Sequence, residues 1–468
     1  MAVYIEKVSA IAPHTGTVSR WMNAIAVTAS PAELESISVL EFVHSVVPIT
    51  RFINPAETSQ PELAPLTDAT THISQEEQKL LKKQIERMQG NLFIEAGING
   101  KGVRIAVFDN GFPGVDQAPA FKHLRDNNQI IKTFDFVKNN ENVYDDLSHG
   151  TKVLSCIAGI IDGQHIGLAT GAEFLLARTE VKSERFKEEE YWLAAVEWAD
   201  KNGADIINSS LGYTYHRYFP TEMDGKTTFV THAANLAASK GILVINAMGN
   251  DGDKDWEVLG APADADSVLS IGGIDPDTDF HITFSSFGPT YDKRTKPNLS
   301  AFGKAVVSGK SKIKTAFCTS FSTPLITGFA ACALQLRPNL SNMELFRELE
   351  KSGHLYPYYD YAHGYGVPQA GYFLHEEHEE PEEQFMVLKT GNTLSVMVPQ
   401  SDTTDISVDE DGRKQYLYYN IKNSDGIIEK YALVLPYQER VIDFRMDEFN
   451  KGQTLTIHYQ GYTREFNF

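Results

Sequence analysis

Three residues combine a reactive side chain with a setting that could use it: an aspartate ending an apolar run, and a histidine and a serine that each open an apolar helix pattern. Asp109 closes the run Val107-Phe108-Asp109 directly before Asn110-Gly111. Its carboxylate then sits at the end of a predicted strand, beside a glycine turn, although Asp before Asn-Gly is also a common turn residue. His149 opens Ser148-His149-Gly150-Thr151, ahead of Val153, Leu154, Ile157 and Ala158 at helical spacing. Gly150 removes a side chain next to the imidazole and leaves the ring room to face a cleft; a histidine at a helix start is otherwise an ordinary surface residue. Ser320 lies in Phe317-Cys318-Thr319-Ser320-Phe321-Ser322-Thr323-Pro324, before the apolar stretch LITGFAACALQL. Pro324 is expected in a first helical turn, where its missing N–H has no intrahelical partner. A serine there meets unpaired backbone N–H groups and the positive end of the helix, which favour an oxyanion. Read alone, the same serine is an N-cap.

The elements that must position these groups follow from periodicity. From about Gly100 to Leu336 short β-rich runs alternate with helical stretches: VRIAVFD, then HGTKVLSCIAG; ADIINSS after EEEYWLAAVEWADKNG; ILVINAM after THAANLAASKG. That alternation predicts an α/β unit, a parallel sheet with helices on both faces, in which functional groups gather at the carboxyl ends of the strands. Upstream, residues 1–52 suit a small α+β unit: an apolar run AIAV, a helix start signalled by Ser30, Pro31 and Glu33, and a second apolar run FVHSVVPI. Residues 53–80 read as an exposed linker and possible processing region, and 81–374 as the main unit. After the charged break HEEHEEPEEQ, residues 385–468 alternate in short runs (TLSVMV, QYLYYNI, KYALVL, LTIHY) that predict a small β-sandwich.

The bulk numbers bound the function. A chain of 468 residues with 42 % apolar content allows roughly two to four domains. Its net charge of −20 disfavours nucleic-acid partners, whose phosphates would repel it. There is no run of about 18 apolar residues to predict a transmembrane segment, and the first twenty residues lack the layout of a signal peptide. Three cysteines, Cys156, Cys318 and Cys332, are too few for a disulfide framework, and none has zinc-site spacing. His375 and His378 in the acidic break are a metal-binding alternative to a plain solvated tether.

Together, the segments around Asp109, His149 and Ser320 resemble the three motifs of the subtilisin-like serine peptidases, Asp-x-Gly, His-Gly-Thr and Gly-Thr-Ser-x-Ala-Thr-Pro, in that family's chain order. No Gly-x-Ser-x-Gly elbow competes with them. The resemblance extends to Ala247-Met248-Gly249-Asn250, similar to the family's Ala-Ala-Gly-Asn, and implies that Asn250 supplies the side-chain donor of an oxyanion hole. Asn208-Ser209-Ser210-Leu211-Gly212 is similar to the Ser-Leu-Gly strand that pairs with substrate backbone. By that likeness Ser209, Ser210, Leu211 and Gly212, with Ala247, Met248, Gly249 and Cys318, line the substrate-binding cleft and its specificity pocket.

In all, the likeness covers roughly residues 100–372. It implies an endopeptidase acting on protein or peptide substrates, with no cofactor required for catalysis, no metal in the site, and structural calcium left open. It also implies an extracytoplasmic location, secreted, periplasmic or at the cell surface. Residues 19–52 look like the later part of an inhibitory propeptide, so the chain's own N-terminal segment is an expected partner and the form zymogen-like.

One departure stands out. Cys318 replaces the family's glycine, where it would either modify the pocket or be neutral and, if the position needs positive φ, strain the turn; the resemblance gives the nucleophile's place to Ser320, not to this thiol. The alternative reading is a pseudopeptidase, a catalytically impaired member of the fold kept for binding.

Overall fold

The computed structural model describes residues 2–49, 73–181, 187–215, 217–310, 312–375, 381–399, 415–436 and 441–468. Most of the expected linker and processing region, and His378 with four flanking glutamates, lie outside the described residues.

Seven parallel strands form the central sheet. Their order across it is 299–302, 268–274, 243–247, 206–209, 104–109, 173–178 and 130–135. The strand Arg104–Asp109 shows why the sheet is covered on both sides. Ile105 and Val107 enter one apolar core with the helices His149–Ala158 and Thr319–Leu336, while Ala106 and Phe108 enter a second with Glu188–Lys201 and Phe229–Ser239. Residues on both faces are fully buried, as a parallel sheet requires. From this strand the chain goes to the edge strand 130–135, returns to 173–178 beside it and then crosses to 206–209 on its other side, so the crevice at its carboxyl end is a topological switch point.

Core membership of this unit begins at Ile73, and the helix Gln75–Glu86 contributes Leu80, Leu81 and Ile85. The folded unit thus starts several residues before the expected boundary at 81.

The N-terminal unit is two helices, Ala2–Ile11 and Pro31–Ser38, with a two-stranded antiparallel sheet of His14–Ser19 and Ala24–Thr28. The second helix starts where expected: Ser30 accepts from the Glu33 N–H, Glu33 answers to the Ser30 N–H, and Pro31 is the first helical residue. FVHSVVPI, however, forms no strand. Val46 and Val47 are exposed and the run pairs with no strand among the described residues, so apolar content alone does not build a strand there. This unit rests on the helix Glu188–Lys201. Glu197 accepts from the Ser19 hydroxyl and from the Arg20 and Trp21 N–H groups, and Trp21 and Met22 pack against the second core.

At the carboxyl end, a three-stranded antiparallel sheet (386–390, 393–397, 441–445) faces a four-stranded one (417–422, 428–434, 454–459, 462–467). Leu394, Val396 and Phe444 from the first share a core with Leu417, Leu455, Ile457 and Tyr459 from the second, which makes the pair a sandwich.

Candidate active site

Asp109 ends its strand with only 3 % of its surface exposed. Its carboxylate accepts from the Asn110 N–H at 2.7 Å, and both of its oxygens lie 2.9 Å from Nδ1 of His149. The histidine is held from the same turn, because its backbone N–H donates to the Asn110 side chain at 3.2 Å. Gly150 serves this approach differently from the sequence expectation. A Cβ there would meet the Gly111 carbonyl at 2.6 Å and the Asp109 Cβ at 2.8 Å, so the missing side chain lets the helix start press onto the aspartate turn. Gly111 (φ +137°) likewise has no room, with the Asp145 and Leu147 carbonyls each 2.8 Å from a built Cβ.

Ser320 is buried in the first turn of the Thr319–Leu336 helix. That helix starts five residues before Pro324, placing the proline in the second turn rather than the first. The shift has a use. The carbonyl whose helical partner would be the N–H of residue 324 is that of Ser320, and it accepts the Ser210 hydroxyl instead, at 3.1 Å. The Ser320 hydroxyl in turn donates to the Ser210 carbonyl at 3.2 Å. Asn208, fully buried, backs the arrangement by donating to the Ser210 hydroxyl and accepting from Thr327 on the helix.

Asn250 is oriented by its neighbours. Its carbonyl oxygen accepts from the Thr319 N–H at 2.9 Å and the Thr319 hydroxyl at 3.0 Å, so its NH₂ group faces Ser320 and Cys318. Gly249 before it has φ +117°, and a Cβ there would meet the Ser286 hydroxyl at 2.7 Å. The same hydroxyl accepts from the Asp251 N–H.

Cys318 lies among these groups. Its thiol donates to the Ser320 Oγ at 2.9 Å and accepts from the Asn250 Nδ2 at 3.0 Å, and it lies close enough to the His149 ring to influence its charge. With Nδ1 turned to Asp109, Nε2 is the ring nitrogen that faces the thiol. No hydrogen bond joins His149 directly to Ser320 in this arrangement, though all these residues are described. The expected strain is absent: Cys318 takes φ 175° and ψ 151°, extended backbone that any residue adopts. Electrostatics follow the geometry. Burial opposes charge on His149, but the Asp109 carboxylate and then Cys318 raise its pKa above the ordinary 6.5. Burial likewise opposes a Cys318 thiolate, yet contact with His149 and Ser320 brings that thiol below its ordinary value.

The expected cleft residues divide. Ser209 is fully buried and its hydroxyl accepts from the Trp192 indole at 3.1 Å, so its side chain belongs to the core. Met248 is also fully buried, against Leu259 and Ala263, and Ala247 nearly so. Leu211 and Gly212 are half-buried and line the open side next to Ser210. Asn208, Ser286, Thr319 and Thr327 were given no role from sequence; of these Asn208 and Thr319 carried a signal, their places next to Ser209 and between Cys318 and Ser320.

Residues 100–366, more than half of the chain, match the model described as the subtilase family. This chain belongs to the subtilase family. Among similar subtilases, serine protease AprX of Bacillus subtilis (strain 168) is 28 % identical over 316 residues, covering 60 % of this chain and 68 % of that one. Subtilisin-like protease SBT6.1 of Arabidopsis thaliana is 27 % identical over 295 residues, 61 % of this chain. The match spans only 26 % of the plant protein's own length. The crystal structure of MycP1 with the N-terminal propeptide removed superposes with a TM-score of 0.51 at 22 % identity, over 63 % of this chain and 97 % of that one, a likeness of fold. Among the described residues, no group of three or more His, Cys, Asp and Glu side chains could hold a metal ion, and no helix is long and apolar enough to cross a membrane.

Proposed function

We propose that this subtilase is a serine endopeptidase acting outside the cytoplasm, with Ser320 as nucleophile, His149 as general base and acid, and Asp109 as the group that orients and supports the imidazole. The contact between His149 Nδ1 and both Asp109 oxygens carries the reading, since it fixes the tautomer and ring orientation that such a base needs. In the reaction the Ser320 oxygen attacks the scissile carbonyl while His149 takes its proton through Nε2, then returns a proton to the leaving amine. The Asn250 NH₂ and the Ser320 N–H stabilise the oxyanion, and water releases the acyl group. The Cys318 thiol must yield its place beside Nε2 for that first transfer.

The N-terminal unit, seated on the helix Glu188–Lys201, acts as an inhibitory propeptide, with its processing region within residues 53–80. The name of the MycP1 structure, which mentions a removed N-terminal propeptide, supports a comparable arrangement here.

The test is labelling with a serine-reactive fluorophosphonate alongside peptide hydrolysis, in the full chain and in Ser320→Ala. A labelled Ser320 and hydrolysis, both lost in the variant, are expected. A chain unlabelled at Ser320 and inert, even after limited proteolysis of the N-terminal unit, would overturn the reading in favour of a binding protein on a peptidase fold.

A further inference from the structure

The thiol of Cys318 is part of a built cluster rather than an isolated side chain. Three polar groups from three separate elements converge on it: the His149 ring from one helix start, the Asn250 NH₂ from the loop after the strand Leu243–Ala247, and the Ser320 hydroxyl from the long helix that Cys318 itself caps. Each does something definite for a sulfur nucleophile. The imidazole can take the proton, and it is already held in the required orientation by Asp109. The Asn250 NH₂ points a donor at the sulfur from 3.0 Å. The first turn of the 18-residue helix adds its positive end. Cys318 as a residue is also only part-buried, whereas Cys156 and Cys332 are completely buried and burial pushes both of their thiols far up.

We propose that Cys318 is a second nucleophile of this site, a modification site for small soft electrophiles, and that its modification shuts the peptidase off. The second half rests on the peptidase reading; the first half does not. With iodoacetamide the step balances as follows. The Cys318 sulfur attacks the iodine-bearing carbon, the S–C bond forms as the C–I bond breaks, iodide leaves with the bonding pair, and the thiol proton passes to His149. The added acetamide group then fills the space between His149, Ser320 and Asn250 that a scissile carbonyl must enter. The Ser320 hydroxyl does not compete for such reagents, because its partners in the resting site are the Ser210 carbonyl and the thiol itself rather than the base. The lowered pKa of Cys318, and the raised one of His149, agree in direction with this pairing.

The experiment is time-resolved iodoacetamide labelling of the full chain at neutral pH, read by peptide mass, with peptide hydrolysis followed in the same samples. Cys318 should be modified first, roughly tenfold or more faster than in His149→Gln, because a free thiol is only a few per cent thiolate at this pH. Cys156 and Cys332 should stay unmodified until the chain is unfolded. Because His149→Gln can unsettle the fold, the ultraviolet thiolate band of the unmodified chain, compared with Cys318→Ser, reads the same feature without touching the histidine. Labelling of Cys318 no faster than in His149→Gln, or a thiolate band unchanged in Cys318→Ser, would overturn the proposal. Hydrolysis that persists after Cys318 is fully alkylated removes its second half. A chain that never hydrolyses peptide and never takes up fluorophosphonate removes the peptidase reading and that second half with it, while the labelling rates still decide the first.

Discussion

Pro324 and Ser320 stand four residues apart in one helix, and the proline's missing N–H is what leaves the Ser320 carbonyl free to take the Ser210 hydroxyl at 3.1 Å. The backbone of Ser320 is thereby tied to the segment expected to pair with substrate, and Asn208 ties that segment back to the helix through Thr327. Ser210→Ala removes the side-chain partner that a buried carbonyl has among the described residues, and one partner of a buried Asn. It should lower stability by about 1–3 kcal/mol, the cost of an unsatisfied buried polar group. Denaturant unfolding checks this, and an unchanged midpoint would mean that water or a helix adjustment replaces the bond.

Asp109→Asn keeps the size of the side chain but takes away the charge, and it can present an amide N–H to Nδ1, which favours the wrong tautomer. The expected outcome is a fall in kcat of about 10⁴ with the melting temperature little changed. A fall of less than about tenfold would show that the Asp109–His149 pair does not carry the base function.

The side-chain contacts of Asn250 predict a different pattern. Asn250→Leu deletes a donor needed only once the oxyanion develops, so kcat should drop by about 10² to 10³, roughly 3–4 kcal/mol, with KM nearly constant. A rise in KM at constant kcat would instead assign Asn250 to ground-state binding. Steady-state kinetics on one peptide substrate separates the two.

His149 must be neutral to accept the Ser320 proton. Burial alone would hold its pKa below the ordinary 6.5, but Asp109, by charge and hydrogen bond, together with Cys318 raises it to about 10. The rising limb of kcat/KM against pH should therefore lie well to the alkaline side of an ordinary imidazole. Cys318→Gly removes one source of the rise and should move that limb to lower pH; a limb that stays in place would uncouple the thiol from the base. The stability effect has the opposite sense. A folded-state pKa raised above the unfolded value gives stability that is complete below about 6.5 and is lost as pH rises through the folded value.

What could be read from sequence was local. A carboxylate at a strand end and a histidine at a helix start are written in neighbouring residue types, and the alternation of strand and helix patterns implied the two-faced sheet, whereas the backbone crowding that Gly150 relieves was not legible. The polar framework was not legible, because its partners are distant in the chain: Asn208 meets Thr327 across 119 residues. The run FVHSVVPI shows the same limit from the other side, since a strand needs a partner strand in register and only the fold says whether one comes to it. The position of the Cys318 thiol was hidden for a related reason. Its direction depends on where Asn250 and His149 arrive from other elements, and its extended backbone removes the strain that a left-handed position would have imposed.

The docking of the N-terminal unit turns on one carboxylate. Glu197 accepts the Ser19 hydroxyl and two consecutive backbone N–H groups, those of Arg20 and Trp21, at the turn between the two N-terminal strands. These donors lie at the end of a sheet with only two strands, and losing their shared acceptor strands several polar groups at once, while Trp21 and Met22 keep an apolar contact. Glu197→Ala should therefore loosen the unit without unfolding it: the chain after residue 49 should be cut several-fold faster in limited proteolysis, and the melting of the main unit should hold. If the unit is inhibitory, peptide hydrolysis should appear earlier in the same time course. Equal cutting rates in the two proteins would mean that the apolar contact alone holds the unit in place.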